Sequence, residues 1–265
     1  MKKICVINQK GGVGKTTTVV NLSYGLAAAG KRVLVIDLDA QGNVSTCFGA
    51  RSDHDIFEVL IDNLNPTACI KTVSQNLDLI SSKETLTKAE MILVGEQNRE
   101  MVLRRKLAPI SGYDFVIIDC QPSLGLLNQN AMLYADELFI PTSTDTLGLV
   151  GLHNMVEAIN TLNSVFGHKL RVGKIIPTLY DSRSKVGKQA LAELRSTFGD
   201  LVTNPIHQST KLKEAPRSGK PIFVYDKSGR SSKDYQMLVD TVLGKEQPIV
   251  KLVELPKIAV EASST

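Results

Sequence analysis

Residues 9–18 read Gln-Lys-Gly-Gly-Val-Gly-Lys-Thr-Thr-Thr and lie between two apolar segments with different patterns. Residues 4–7, before them, form a short continuous apolar run of the kind found in buried strands. Residues 19–26, after them, repeat apolar side chains at helical spacing. A glycine-rich loop that joins a strand to a helix and contains Gly-Lys-Thr is the pattern of a phosphate-binding loop, or P-loop.

The residue types of this loop predict how it binds phosphate. Glycines let the backbone turn its N–H groups onto phosphate oxygens, and the N-terminus of the following helix adds the positive end of its dipole. We expect Lys15 to reach the β- and γ-phosphates and the Thr16 hydroxyl to complete the shell of a Mg²⁺ ion. The predicted phosphate-binding residues are Gly11, Gly12, Val13, Gly14, Lys15, Thr16 and Thr17, together with Lys10.

A second apolar strand, at residues 32–37, follows the predicted helix, so that residues 3–37 form one βαβ unit. This strand brings Asp37 and Asp39 to the carboxyl edge of the sheet, where ligands bind in open α/β folds. Two carboxylates at this place could simply form a turn. After a P-loop, we expect them to face the γ-phosphate instead.

Residues 113–119 read Tyr-Asp-Phe-Val-Ile-Ile-Asp, an apolar strand that ends in an acidic residue. Many buried strands end in this way, so the pattern alone is weak. Together with a P-loop it predicts that Asp119 organises the Mg²⁺ shell through bound water. Thr16 and Asp119 are therefore the predicted metal residues.

The remaining segments complete the prediction of the fold. Residues 55–61, 84–107 and 235–243 look helical, and further strands are expected at residues 77–80, 138–141 and 173–181. Alternating strands and helices predict an α/β fold of the P-loop NTPase type, with a mostly parallel twisted sheet and helices on both faces. We expect one ATPase domain over residues 1–243 and a C-terminal tail over 244–265.

Composition limits the possible classes of protein. At 265 residues and 43% hydrophobic content the chain can bury a large core, and its net charge is only +4. Residues 169–220, however, carry eleven Lys or Arg against four Asp or Glu, which suggests a surface that faces a polyanion. The four cysteines lack metal spacing, and we find neither a signal peptide nor an apolar run of about 20 residues. We therefore expect a cytoplasmic protein.

A second lysine, Lys10, precedes the glycine pair of the loop. The pattern Lys-Gly-Gly-x-Gly-Lys-Thr resembles the deviant Walker A ATPases, and the later motifs resemble ParA/Soj partition ATPases over about residues 1–243. In that family the first lysine crosses a dimer interface and touches the phosphates that the partner subunit binds. The resemblance therefore implies ATP as the nucleotide and an ATP-dependent homodimer.

The resemblance also implies roles for single residues. Lys10, Lys15 and Asp39 are the expected catalytic residues, with Asp39 positioning the attacking water. Three departures from the family pattern are present: Ala40 replaces a proline, Gln121 replaces the first proline after the second acidic strand, and residues 206–209 read Ile-His-Gln-Ser where the family has Ile-Pro-Arg-Asn. The last of these leaves the contacts to the nucleotide base open around His207. Asp145 occupies an acidic position that we associate with the interface.

The basic segment at residues 169–220 indicates what the paired subunits would bind. In the family, basic residues of these regions bind DNA without sequence preference once two subunits pair, and the corresponding candidates here are Arg183, Lys211 and Arg217. An ordinary solvated basic face is the alternative. The resemblance further implies a ParB-like centromere-binding partner, association with the nucleoid, and a role in plasmid or chromosome segregation.

Other members of the superfamily remain alternatives. A MinD-like membrane-cycling ATPase needs a basic amphipathic C-terminal helix, whereas Pro256 interrupts the tail here, so no stable membrane association is expected. Nitrogenase iron proteins need paired cluster-ligating cysteines, which the scattered cysteines do not provide. An ATPase that positions a cargo other than DNA would share all of these motifs.

Overall fold

The computed structural model describes residues 1–245, apart from the side chains of Thr146, Leu147, Leu149 and Val150. Within this range the chain forms a seven-stranded sheet in the order β3-β4-β2-β5-β1-β6-β7. The strands are β1 (Lys2–Val6), β2 (Val33–Leu38), β3 (Lys71–Ser74), β4 (Leu77–Ile80), β5 (Phe115–Cys120), β6 (Glu137–Ser143) and β7 (Arg171–Thr178). Only β3 runs antiparallel to its neighbour, so the prediction of a mostly parallel α/β sheet is confirmed.

Eleven α-helices connect and cover these strands in the described part of the chain. They are α1 (Lys15–Ala28), α2 (Asn43–Phe48), α3 (Ile56–Leu60), α4 (Thr87–Leu93), α5 (Val102–Lys106), α6 (Leu126–Tyr134), α7 (Thr146–Phe166), α8 (Lys185–Phe198), α9 (Thr210–Glu214), α10 (Ile222–Tyr225) and α11 (Arg230–Val242).

Successive residues of the central strands enter two separate cores, one on each face of the sheet. Along β1, Ile4 and Val6 pack with residues of α1 and α11, whereas Cys5 packs with residues of α5, α6 and α7. Both faces are therefore covered by helices, as predicted, and this explains why β1, β2 and β5 read as continuous apolar runs. Cys5 and Cys120 meet within the second core with their Sγ atoms 3.3 Å apart, and both thiols are free.

The order of the strands decides where ligands can bind. β1 lies inside the sheet, between β5 and β6, and its carboxyl end leads directly into the P-loop. The carboxyl ends of β2 and β5 lie beside it, with Asp37 opposite Asp119 in the register of the two strands. The acidic residues found in the sequence thus converge next to the P-loop.

One predicted helix is wrong in its extent. Residues 84–107 form two short helices, α4 and α5, joined by a break and flanked by 3₁₀ turns. The break contains Gly95 and Asn98, and Asn98 has a left-handed φ of 53°, which a continuous helix cannot contain. Arg99 then donates from Nη1 to the carbonyl oxygen of Val94, at 3.0 Å, near the end of α4.

The C-terminal part of the prediction is tested only at its start. The closing helix is present and begins earlier than predicted, since α11 covers Arg230–Val242. The proposed tail begins at residue 244, and residues 246–265 lie outside the described part of the chain. The domain boundary at residue 243 stays a prediction. Among the helices of the described residues, none combines the length and apolar character needed to cross a membrane.

Candidate nucleotide-binding site

The P-loop joins β1 to α1 through glycines with unusual backbone angles. Gly12 has a φ of 73° and Gly14 a φ of 85°, a region that residues with a Cβ rarely adopt. A Cβ built on Gly11 or Gly12 would meet no protein atom within 4 Å. These two glycines thus border open space beside the N-terminus of a 14-residue helix, and a phosphate group fits such a place.

Side chains from neighbouring strands hold the loop in this shape. Asn8 donates from Nδ2 to the carbonyl of Pro141 at 2.8 Å, while its Oδ1 accepts the N–H of Lys10 at 2.9 Å. On the other side, the Thr178 hydroxyl donates to the carbonyl of Val13 at 2.8 Å. Sequence reasoning missed both Asn8 and Thr178, although an amide two residues before the lysine is a usual loop-bracing signal. The loop is therefore tied to both β6 and β7.

Lys15 is buried at the start of α1, and its ammonium donates to the carbonyl of Lys10 at 3.2 Å. Burial lowers its pKa, because desolvation disfavours the charged form, while nearby Asp119, Cys120 and Asp39 act in the opposite direction. A lysine with a partly desolvated ammonium beside an open phosphate cradle is well placed to bind an anion. Thr17 follows in the same helical turn, where its carbonyl accepts from Asn21 at 2.8 Å.

Thr16 and Asp119, the predicted metal residues, are in contact. The Thr16 hydroxyl donates to Oδ2 of Asp119 at 2.7 Å. The other carboxylate oxygen, Oδ1, is buried without a hydrogen-bond partner. Burial raises the pKa of Asp119 to about 7, since the ionised carboxylate is desolvated and Asp39 is close.

These features fit a bound Mg²⁺ ion. A buried carboxylate with one unpaired oxygen leaves a position for a hydrated cation, and the cation would restore the ionised form. Within residues 1–245, no group of three or more His, Cys, Asp or Glu side chains is arranged to hold a metal. A P-loop Mg²⁺ depends mainly on phosphate oxygens and water, so the single Thr16–Asp119 pair is the donor set that this chemistry requires.

Asp37 lies inside the turn that follows β2, in agreement with the turn-forming alternative that the sequence left open. It is fully buried and accepts two backbone N–H groups, from Asp39 at 3.0 Å and from Val44 at 3.3 Å. Burial and the nearby Asp119 raise its pKa well above the usual value. Asp37 therefore shapes the turn after β2, a function that a carboxylate in a turn motif commonly performs.

Asp39, the predicted water-positioning residue, lies in that turn and is half-buried. Its Oδ1 accepts the N–H of Gln41 at 3.0 Å, and its backbone carbonyl accepts from the hydroxyl of Ser82. A Cβ on Gly42 would come within 2.9 Å of the Ser82 carbonyl, so the turn packs closely against the end of β4. Ala40 in place of proline leaves Asp39 anchored from both sides.

The loop after β5 is held by groups that the sequence did not indicate. Asn128 donates from Nδ2 to the carbonyls of Gln121 at 2.8 Å and Ser123 at 2.6 Å. Glu90, on α4, accepts the N–H of Leu127 at 3.0 Å, in the first turn of α6. This connects α4 to the segment that follows Asp119.

Lys10 points to a different part of the molecule from Lys15. Its Nζ lies 2.9 Å from Oδ2 of Asp145 and 3.0 Å from the Ser143 hydroxyl. Asp145 also accepts the N–H of Gly148 at 2.8 Å and so forms the N-cap of α7. The position that the family resemblance associated with the interface thus holds Lys10 within one subunit.

His207 is packed against Asp234 and Tyr180. Its Nδ1 and its backbone N–H both lie 2.9 Å from Oδ2 of the buried Asp234, and its ring meets that of Tyr180 edge-on at 5.2 Å. A parallel bridge also pairs Tyr180 with His207. Asp234 had no signal in the sequence, because its partner lies 27 residues away in the chain.

The three candidate DNA-binding residues lie in segments that leave this same bridge. Arg183 follows Tyr180, and its guanidinium binds both oxygens of Asp181 at 3.0 Å. Lys211 lies on α9 and Arg217 on the 3₁₀ turn after it. Lys211 pairs with Glu214 at 3.1 Å. The segments start together at the edge of the sheet next to β7, although two of the cations are partly neutralised by their own neighbours.

Comparison with known proteins gives the same result as the site. The family model described as AAA domain (AAA_31) matches residues 1–172. The chain is 36% identical to the chromosome-partitioning ATPase Soj of Treponema pallidum, over 92% of this chain and 98% of that protein. The chain belongs to the ParA/Soj family of partitioning ATPases. It is likewise 36% identical to the chromosome partitioning protein ParA of Myxococcus xanthus, covering 92% of this chain and 89% of ParA.

A solved structure extends the similarity to three dimensions. Cobyrinic acid a,c-diamide synthase from Mycobacterium smegmatis, crystallised with bound ADP and magnesium, superposes with a TM-score of 0.78 at 30% identity. The alignment covers 92% of this chain and 94% of that one. The ParA/Soj-family chain is thus an ATPase of P-loop fold, and its relatives act in chromosome partitioning.

Proposed function

We propose that this protein is an ATP-dependent dimerising switch that binds DNA without sequence preference and segregates a chromosome or plasmid. The observation that carries the proposal is the geometry beside the P-loop, where the Thr16–Asp119 contact leaves one buried oxygen of Asp119 unpaired next to open glycines. A Mg²⁺–ATP complex supplies the charges that this arrangement lacks. The relative crystallised with ADP and magnesium supports this choice of ligands.

The protein would promote ATP hydrolysis by positioning the Mg²⁺ ion and the attacking water and by stabilising the charge on the phosphates. Bound Mg²⁺ would supply positive charge to the phosphate oxygens, and Thr16 and Asp119 would hold it. Lys15 and the backbone N–H groups of residues 11–17 would stabilise the charge that develops on the phosphates. Asp39 would orient the attacking water, because two backbone contacts and the Ser82 hydroxyl fix its turn.

Dimerisation is the proposed second consequence of ATP binding. Lys15 already occupies the side of the loop next to its own phosphate cradle, where it contacts the Lys10 carbonyl. Lys10, in contrast, extends to the beginning of α7 and is not needed for the local contacts of the cradle. When its contacts to Asp145 and Ser143 break, Lys10 would complete the site of a second subunit, as the resemblance to the deviant Walker A ATPases implies.

The proposed DNA-binding surface consists of Arg183, Lys211 and Arg217, repeated in both subunits of the dimer. All three are exposed and follow the Tyr180–His207 bridge. Phosphate contacts by lysine and arginine give affinity that does not depend on base sequence. A ParB-like protein is the proposed partner that stimulates hydrolysis and so releases the DNA.

The first experiment measures binding to a non-specific duplex with ATP, with ADP, and with ATP plus the variant Lys10→Ala. Lys31→Ala is a matched control, because it removes an exposed lysine just beyond α1. We expect salt-sensitive binding only with ATP, lost in Lys10→Ala and retained in Lys31→Ala. Binding to anionic liposomes in ATP, with no binding to DNA, would replace the proposal by a membrane-cycling function.

A second experiment tests the surface itself. Lys211→Glu and Arg183→Glu should abolish DNA binding while ATP-dependent dimerisation persists. Lys71→Glu makes the same change of charge on β3, at the opposite edge of the sheet from β7, and should have little effect. If all three variants bind DNA equally well, the DNA surface lies elsewhere.

A further inference from the structure

The contact between Lys10 and Asp145 is made within one subunit. The ammonium of Lys10 lies 3.0 Å from Oδ1 and 2.9 Å from Oδ2 of Asp145, so it faces both carboxylate oxygens. The Ser143 hydroxyl, also at 3.0 Å, is a third acceptor. This set of acceptors resembles chemically what two phosphate oxygens would offer to the same ammonium.

The acceptors are held rigidly. Ser143 is the last residue of β6, and Asp145 caps α7 through the N–H of Gly148 at 2.8 Å. A Cβ on Gly148 would come within 2.2 Å of the Ser143 carbonyl, so the first turn of α7 packs directly against the end of β6. The Lys10 backbone is fixed through Asn8, which also binds the β6 carbonyl of Pro141. Both sides of the contact are therefore built on the same strand.

The ion pair between Lys10 and Asp145 forms within the subunit, but it is weak enough for another anion to displace it. The side chains of Lys10 and Asp145 are 36% and 46% exposed, a range in which ion pairs are screened and contribute little. Burial raises the pKa of Asp145, but Lys10, the Gly148 N–H and Ser143 outweigh it and hold that pKa below its usual value. The carboxylate is thus ionised at neutral pH and competes with other anions for Lys10.

We propose that Asp145 is a positioning residue that holds Lys10 inside its own subunit until the phosphates of the partner's ATP displace it. The proposal rests on the proposed function, in which Lys10 acts across a dimer interface. Each dimer must break two such contacts, one in each subunit. The contact therefore sets the protein concentration at which the ATP dimer forms, and it returns Lys10 to its own subunit when the dimer separates.

Asp145→Asn is the variant that tests the proposal. Asparagine is as good an N-cap as aspartate, so α7 keeps its cap while the negative charge is lost. Glu157→Gln is the matched control, since it removes one exposed negative charge from the same helix without touching Lys10. Sedimentation of wild type and both variants, with Mg²⁺ and a non-hydrolysable ATP analogue, gives the dimer dissociation constant.

We expect Asp145→Asn to lower the dimer dissociation constant by roughly three- to twentyfold, because two exposed ion pairs no longer oppose association. Glu157→Gln should match wild type, and Ser143→Ala should give a smaller change in the direction of Asp145→Asn. In the Lys10→Ala background, Asp145→Asn should have no effect. The rate at which an acetylating reagent modifies Lys10 in the nucleotide-free protein should rise in Asp145→Asn, which reports on the contact without any dimer.

The outcomes separate the two proposals. If Lys10→Ala loses the dimer but Asp145→Asn dimerises no better than wild type, the restraint by Asp145 is wrong and the function across the interface stands. If Lys10→Ala dimerises like wild type, the function of Lys10 across the interface is wrong, and the restraint has no purpose. Unchanged acetylation of Lys10 in Asp145→Asn would contradict the contact itself.

Discussion

The nucleotide edge of the sheet and the basic surface beyond β7 use charged side chains in opposite ways. At the nucleotide edge, Asp37, Asp119 and Lys15 are buried, and desolvation shifts the pKa of each toward its neutral form. On the basic surface, Arg183 and Lys211 are exposed and each pairs with a carboxylate a few residues away in the chain. In the first region, desolvation makes the charged forms of these side chains unfavourable. In the second, the side chains remain charged with little loss of free energy, because they are solvated and paired.

This difference in burial indicates which of the two regions depends on a bound ligand. Buried groups of like charge are stable only when something compensates them, so the nucleotide edge needs a cation and an anion to relieve it. An exposed pair is already solvated and gains or loses little when a partner arrives. Changes at the nucleotide edge should therefore have large effects on ATP hydrolysis, and removal of an ion pair on the basic surface should have a small, salt-dependent effect on DNA binding.

The largest effect is expected at Lys15. Replacing it with alanine in Lys15→Ala removes a buried ammonium beside the phosphate cradle, and we expect ATP hydrolysis to fall by at least about 100-fold. Steady-state phosphate release measures this loss. Lys31→Ala, at an exposed position, should hydrolyse ATP like wild type. Equal rates for both variants would show that the cradle does not stabilise the phosphates.

The next largest effect is expected at Asp39, where a substitution should slow ATP hydrolysis without preventing ATP binding. Asp39→Ala should reduce hydrolysis by roughly 100-fold, in the range observed for groups that position or deprotonate a nucleophile. ATP binding and dimerisation should persist, because Asp37 and the Ser82 hydroxyl still hold the turn when the Asp39 side chain and its one contact to Gln41 are removed. Single-turnover hydrolysis together with an equilibrium nucleotide-binding titration tests the two halves. Loss of ATP binding would show that Asp39 shapes the cradle instead of acting on water.

A smaller effect concerns stability and pH. The pKa of Asp119 is about 7 in the folded protein and near 3.8 in the unfolded chain. Between these values the folded state binds the extra proton, so the contribution of Asp119 to stability is most favourable at low pH and declines as pH rises toward 7. One such group accounts for at most about 1.4 kcal/mol per pH unit.

Urea unfolding without Mg²⁺ at pH 5, 6, 7 and 8 measures the slope of the free energy of unfolding against pH. Asp119→Asn should make it shallower, since one of the two buried carboxyls with a raised pKa is removed while Asp37 remains, and Mg²⁺ should oppose it by favouring the ionised carboxylate of Asp119. A wild-type stability that rises between pH 5 and 7 would contradict the raised pKa of Asp119.

The central part of the fold could be predicted from the sequence because its signals are local. The P-loop glycines, the apolar strands and the acidic residues after them occur in short continuous segments. Asn8, Ser82 and Asp234 act through partners 27 to 133 residues away, and a single sequence carries no signal for such pairs. The helix predicted over residues 84–107 failed for another reason: helical periodicity outweighed Gly95 and the left-handed Asn98.

The smallest predicted effect lies on the basic surface and tests whether its ion pairs limit DNA binding. Lys211 lies 3.1 Å from Glu214, which also accepts from the Tyr225 hydroxyl at 3.0 Å. In Glu214→Gln the ammonium of Lys211 loses its charged partner while a side chain of the same size keeps the contact to Tyr225. We expect the ATP-bound protein to bind a non-specific duplex roughly two- to fivefold more tightly at low salt.

Glu193→Gln is the matched control for that variant, because it removes an exposed carboxylate from α8. The logarithm of the binding constant, plotted against the logarithm of salt concentration, should steepen by about one unit in Glu214→Gln, since one more cation contacts phosphate. If the affinity and the slope match those of Glu193→Gln, Lys211 already contacts DNA with Glu214 in place. The ion pair would then be part of the DNA-binding surface. The buried charged groups of the nucleotide edge and the exposed ones of the basic surface would then differ less in their dependence on a ligand than the burial of their side chains suggests.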